Sequence, residues 1–283
     1  MASSPSKALL PMHPAWKPDT LPPFPAVALK ALNLMAGTET SLLELCNLIR
    51  TDAAFSTAIL QIANSPLVAF SKNITSVLQA SMLLGFQRLR SVVITVGLKS
   101  YLRQSFSPLL QACWRHSVAT AIIAERAASR SGFDRDFAYT AGIMHDIGRV
   151  AMATALPEAY ARVLEKGADQ PRDLLHSEWE FCGIDHCQAG RALVVAWNIP
   201  EAFLDVTLSH HDQPAAGRSI ASILPQSCLL ADSIGFGVTQ YRAPQSYKDT
   251  TAQFPEAARS SFPEEPNELV SEIGDEITVI ETA

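Results

Sequence analysis

Between residues 26 and 102 the apolar positions recur at helical spacing in short segments, each closed by Gly, Pro or Asn. Leu29, Leu32, Leu34 and Met35 make the first and break at Gly37. Leu42, Leu45, Leu48 and Ile49 make the second, with Thr40 or Ser41 as N-cap and Glu44 placed to complete a capping box. The third runs over 52–63 and stops at Asn64-Ser65-Pro66, the fourth covers 76–84 up to Gly85, and the fifth covers 88–102. Pro108 interrupts, and an Ala-rich segment over 109–128 then suits close helix packing. Further helices are predicted over 136–144, 157–166, 174–182, 187–197, 200–210 and 223–234. Period-two alternation is scarce; its best instance, 92–96, has flanks that favour a buried helix. The pattern predicts an all-α chain, with an N-terminal bundle over 21–105 and a second bundle over 106–235 packed together.

The two ends differ from the middle. Seven of the eighteen prolines fall within the first 25 residues, so 1–20 is expected to be an extended lead-in. Near the other end, Ser261 is a potential cap, with Pro263 in the first turn and Glu264 and Glu265 where the helix dipole favours them. Leu269, Val270, Ile273, Ile277 and Ile280 then share one face. An acidic amphipathic helix over 261–283 is predicted, docked on the bundle or on a partner and joined by a linker over 236–260.

Composition sharpens this picture. The 283 residues are 48% hydrophobic and 18% charged, as in a well-buried globular protein. The net charge of -6 belongs to the tail: eight acids lie after position 255 with only Arg259 to oppose them, leaving 20 acids against 21 bases in 1–255. A near-neutral body argues against direct nucleic-acid binding. No apolar run reaches the length needed to cross a bilayer, and no secretory signal pattern opens the chain, so no membrane role is expected. Five cysteines without a C-x-x-C pair read as reduced, buried hydrophobes of a cytoplasmic protein.

Histidine is scarce, yet five of the seven fall in the second bundle beside acids or each other. His145-Asp146 ends an apolar helix, His116 lies one long helix earlier, His186 follows Asp185, and His210-His211 closes another helix. Asp232 sits in an apolar run, where an unpartnered carboxylate is costly. Each has a plain reading: His116 as a core or surface histidine, Asp146 as a turn cap, His186 as a helix-start neighbour, His210-His211 as a helix end, Asp232 as the partner of an arginine. His176 reads as part of a polar helix face and His13 as part of the lead-in. Taken together, imidazoles and carboxylates converging from helices are the donor set of a transition metal, and Asp146 could bridge two ions.

The order His116, His145-Asp146, His186, His210-His211, Asp232 resembles the ligand order of HD-type metal-dependent phosphohydrolases, including the two-metal HD-GYP branch. The surrounding text is closer to the HDOD family, the HD-related output domain of bacterial signalling proteins. It stands as Leu21-Pro22-Pro23-Phe24-Pro25, Ile62-Ala63-Asn64-Ser65, Leu83-Leu84-Gly85, Met144-His145-Asp146-Ile147-Gly148, Gly183-Ile184-Asp185-His186, Trp197-Asn198-Ile199-Pro200 and His210-His211-Asp212. Two features separate the chain from the HD-GYP branch: Ala112 stands where that branch has a Glu ligand, and Asp212-Gln213-Pro214-Ala215 replaces the Gly-Tyr-Pro motif. The resemblance covers about 21–235 and implies an N-terminal helical bundle packed on an HD-like bundle. It implies a signalling output module acting through contacts with other signalling proteins, with a divalent metal (Fe, Mn, Zn or Ni; one or two ions) on His116, His145, Asp146, His186, His210, His211 and Asp232. The alternative is a metal-dependent phosphohydrolase for a nucleotide or other phosphoester, with Asp146 and Arg149 catalytic. A metal or redox sensor is a third reading.

Overall fold

A computed structural model describes residues 16, 21, 24–36, 41–65, 68, 74–102, 107–169, 173–211, 220–238 and 245–282. Most of the predicted lead-in, the Pro22-Pro23 pair, Gly37, Thr40, Pro66 and the stretch 212–215 lie outside them. The described residues contain helices and turns and no strand, in agreement with the all-α expectation.

The N-terminal bundle consists of α1 (Ala26–Ala36), α2 (Leu42–Ile49), α3 (Ala53–Ala63) and α4 (Val77–Leu102). Local chemistry sets their starts: Ser41 and Glu44 form the anticipated capping box, and the Asp52 carboxylate accepts from the Ala54 and Phe55 amides. Asn64 both donates to the Ile74 carbonyl and accepts from its amide, pinning the end of α3 to the approach of α4. The predicted break at Gly85 is present inside α4: its backbone is non-helical there, at φ 73°, so α4 is two helical stretches joined by a kink. The stretch 92–96 is buried and helical, as its flanks suggested.

The second bundle runs through α5 (Pro108–Ser131), α6 (Arg135–Met144), α7 (Ile147–Ala155), α8 (Pro157–Asp169), α9 (Leu174–Cys182), α10 (His186–Ala196), α11 (Ala202–Ser209) and α12 (Leu224–Ala231). Pro108, read in sequence as an interruption, is the first residue of α5, with Ser107 capping it. The sequence pattern did not predict α7. It is nine residues long and begins Ile147-Gly148, a pair that reads as a turn. Buried Phe24, Tyr101 and Trp197 stack between the bundles with ring centroids 5.2–6.5 Å apart, inside one continuous apolar core.

The C-terminal region departs from expectation in two places. Part of the predicted linker folds as α13 (Tyr247–Thr251) and α14 (Glu256–Arg259), burying Thr250, Phe254 and Ala258. These elements are too short to show a helical period in sequence. The last helix, α15 (Pro266–Thr282), starts at Pro266 rather than at Ser261, whose hydroxyl bonds the Ala258 carbonyl and closes α14. Leu269, Ile273, Ile277 and Ile280 are buried as predicted, while Val270 lies at the edge of the stripe. The helix docks on α5, and Lys99 and Gln61 from the N-terminal bundle hold its last carbonyls at Ile280, Glu281 and Thr282. No helix among the described residues is long and apolar enough to cross a membrane.

Candidate metal centre

Three close approaches bring the histidines together. An added Cβ at Gly142 would lie 2.3 Å from Ala121 Cα, so α6 presses on the Ala-rich face of α5 near His116. At Gly148 it would lie 1.9 Å from the His186 carbonyl oxygen, and at Gly190 it would lie 3.2 Å from Thr207. These glycines let α10 nest between α7 and α11. His145 and Asp146 occupy the tight junction between α6 and α7, and the N-terminus of α10 and the end of α11 reach them.

The rings share one orientation. Nδ1 of His145 lies 2.7 Å from the Gly142 carbonyl, Nδ1 of His210 lies 3.1 Å from that of Thr207, and Nδ1 of His116 lies 3.1 Å from that of Phe236. Carbonyls only accept, so each of these Nδ1 atoms is placed to donate, and each ring turns its Nε2 inward. The inward atoms surround Asp146. Its Oδ1 is 3.4 Å from His186 Nε2 and 3.2 Å from His210 Nε2, and its Oδ2 is 3.7 Å from His145 Nε2 and 3.8 Å from His116 Nε2. His186 Nε2 is also 3.1 Å from His210 Nε2 and 2.9 Å from His211 Nε2. His116, His145, Asp146, His186 and His210 are each at most 3% exposed, and His211 is half-buried. Neither Asp146 oxygen nor His145 Nε2 has a well-formed hydrogen bond.

Electrostatics follow from this crowding. Burial pushes His145 well below the ordinary imidazole range against the pull of Asp146, and burial likewise lowers His210 and His211. Burial also disfavours a charged His186, but the Glu178 carboxylate outweighs it and holds that ring well above the usual range. For Asp146 burial works toward protonation, and Arg149 with the surrounding rings prevails, keeping the group well below the ordinary carboxylate range.

Six of the seven predicted ligand residues therefore converge. Asp232 lies at the outer edge, with Oδ1 3.3 Å from His116 Nδ1, on a π-helical turn over Asp232–Phe236. Arg149 is buried with Nη2 3.2 Å from Asp146 Oδ2, so it serves as a counter-ion to the carboxylate. His176 is exposed on α9, as expected. Glu178 has no counterpart in the predicted set. It is wholly buried and accepts from His186 Nδ1 at 2.6 Å and from the His186 amide at 2.9 Å, while Tyr160 donates to its other oxygen. All five cysteines are buried, and Cys228 Sγ lies 3.5 Å from His116 Nε2. Two groups of donors could hold a metal ion, His186 with Cys187, His210 and His211, and His116 with His145 and Cys228; in each the donor atoms lie within 4.8 Å of one another. Inward-facing imidazole nitrogens gathered around a buried carboxylate are a set of ligand atoms that fits a divalent cation.

Comparison with known proteins agrees with this architecture. In fold, the chain is similar to an HDOD domain protein of unknown function from Geobacter sulfurreducens, with TM-score 0.73 and 23% identity over 93% of this chain and 92% of that one. It is also similar to a candidate signal-transduction protein from Marinobacter aquaeolei, with TM-score 0.70 and 20% identity over 92% of this chain and 60% of that one. An uncharacterised protein of Treponema pallidum is 26% identical over 229 residues; the match takes in 79% of this chain and 44% of the relative, so the chain spans less than half the length of that relative. The HDOD domain model matches residues 21–213, which include both halves of the histidine cluster up to His211, and the chain belongs to the HDOD family.

Proposed function

We propose that this chain is a signalling output module of the HDOD type, spanning about 21–235, whose second bundle closes around one or two divalent ions held by His116, His145, Asp146, His186, His210 and His211. The observation that supports it best is the shared ring orientation: three backbone carbonyls each face an Nδ1, and the Nε2 atoms meet at Asp146 in a buried core. A buried polar cluster without a cation would instead alternate donors with acceptors. When bound, divalent ions supply Lewis acidity and lower the pKa of a water molecule. The residues of this chain orient and neutralise: Glu178 fixes the His186 ring, Asp232 faces the outer nitrogen of His116, and Arg149 balances the Asp146 charge. Their near-complete burial favours an ion that stabilises or senses over one that meets a substrate. A signalling role agrees with the signal-transduction description of the Marinobacter protein, and we infer that it is exerted in the cytoplasm through contacts with other signalling proteins.

A phosphohydrolase is the second reading, because the two donor groups flank the two oxygens of a single carboxylate, and a similar fold from Shewanella amazonensis is named as a candidate phosphohydrolase. Elemental analysis of untagged protein separates these possibilities from a metal-free core. Iron, manganese, zinc or nickel is expected and should be lost in Asp146→Ala; metal-free protein of unchanged stability sinks the proposal. A phosphoester panel with added Mn²⁺ then discriminates, since turnover abolished by Asp146→Ala selects the hydrolase and no turnover selects the output module.

A further inference from the structure

Cys228 on α12 and Asp232, the residue that follows its last turn, lie one turn apart on the same face, and that face meets the His116 ring. The two side chains take opposite ring nitrogens. Asp232 Oδ1 is at Nδ1, the nitrogen that also faces the Phe236 carbonyl, while Cys228 Sγ is at Nε2, the nitrogen that faces Asp146. The sulfur is thus on the inner side with the lone pairs, and the carboxylate stands behind the ring.

We propose that Cys228 supplies a sulfur ligand to the half-site built on His116, His145 and Asp146, making it a nitrogen, sulfur and oxygen site for a borderline-soft ion such as Zn²⁺, Fe²⁺ or Co²⁺ rather than Mg²⁺ or Mn²⁺. This rests on the metal reading above. A separate observation points to a ligand: His145 Nε2 is fully enclosed, aimed into the same space and without a hydrogen-bond partner, beside the Asp146 Oδ2 that Arg149 neutralises. The spacing suits the chemistry. Ligands of a tetrahedral ion with a bond of about 2.3 Å to sulfur and about 2.0–2.1 Å to nitrogen lie roughly 3.6 Å apart, against the 3.5 Å found between Sγ and Nε2. Cys228 Sγ and His116 Nε2 would hold the ion together, and binding would release the thiol proton to solvent. Asp232 then completes a carboxylate–histidine–metal arrangement from outside.

Cobalt(II) titrated into the full chain after chelator stripping tests this by absorbance, without any assay of activity. A near-ultraviolet thiolate-to-cobalt charge-transfer band is expected, lost in Cys228→Ser and kept in Cys187→Ser, with visible cobalt bands remaining from the other half-site. Cobalt bound without a thiolate band overturns the sulfur ligand and leaves the metal reading intact. A band that survives Cys228→Ser but not Cys187→Ser moves the sulfur to the other group and equally overturns the assignment. No cobalt binding at all, with native circular dichroism, removes the metal reading and this inference with it.

Discussion

Glu178 reaches the proposed metal centre through one ring. Its carboxylate holds the Nδ1 proton of His186, which leaves Nε2 for the centre, and Tyr160 secures the other oxygen. Such carboxylate partners typically contribute about 10–100-fold to metal affinity. Glu178→Gln is therefore expected to weaken zinc binding by about that factor in competition with a chromophoric chelator; unchanged affinity would remove Glu178 from the site. The residue was within reach of sequence reading, since it continues the stripe of Leu174, Ser177 and Cys182, which places an acid on the buried face of α9. What could not be read was its partner, because the distance from one helix face to the start of the next is set by packing. Arg149 illustrates the same limit. Its position one turn after His145-Asp146 was legible, but that its guanidinium pairs with the Asp146 carboxylate was not.

Helix geometry depends on a few small residues. Gly148 sits where α7 crosses the start of α10, and a methyl group there would overlap the His186 carbonyl. Overpacking of this kind costs about 1–3 kcal/mol, so Gly148→Ala is expected to lower stability by roughly that amount in urea unfolding of metal-stripped protein and to displace His186. A loss near zero would mean that α7 and α10 can separate freely. On α15 the relevant group is Glu276, which burial, and then the neighbouring Glu125, push above the ordinary carboxylate range against Arg88 and Arg126. A carboxyl raised in the folded state favours folding below its unfolded pKa, and this contribution is lost as pH rises through the folded value. Glu276→Gln should accordingly raise Tm at neutral pH, with the gain vanishing near about pH 4, where Glu276 is largely protonated. A gain of equal size at both pH values would assign the effect to something other than ionisation.

Across the whole molecule, the histidine cluster and the bundle interface share one core. His116 comes from α5, which also carries the packing face for α6 and for the docked α15, while Trp197 at the end of α10 stacks on Phe24 and Tyr101 of the other bundle. A ligand present at about 100 times its dissociation constant stabilises by about 2.7 kcal/mol. For a chain of this size, stripping the metal is then expected to lower Tm by roughly 5–10 °C in a single cooperative transition. An unchanged Tm in protein shown to have lost its metal would mean that the ion contributes nothing to the fold.

Periodicity within a dozen residues is enough to specify a helix, its cap and its apolar face, because contacts at i, i+3 and i+4 are local. The all-α class, the capping box at Ser41 and the stripe Leu269, Ile273, Ile277 and Ile280 were legible for that reason. The order of histidines and acids was legible too, as a resemblance. Whether those side chains meet depends on helices far apart in the chain: His116 and Cys228 are 112 positions apart and touch because α5 and α12 pack face to face. Packing chose which ring nitrogen points inward, brought Cys228 rather than Asp232 to the inner edge of His116, and seated α15 on its own bundle. Those outcomes follow from the summed burial of many surfaces, which no short stretch of sequence contains.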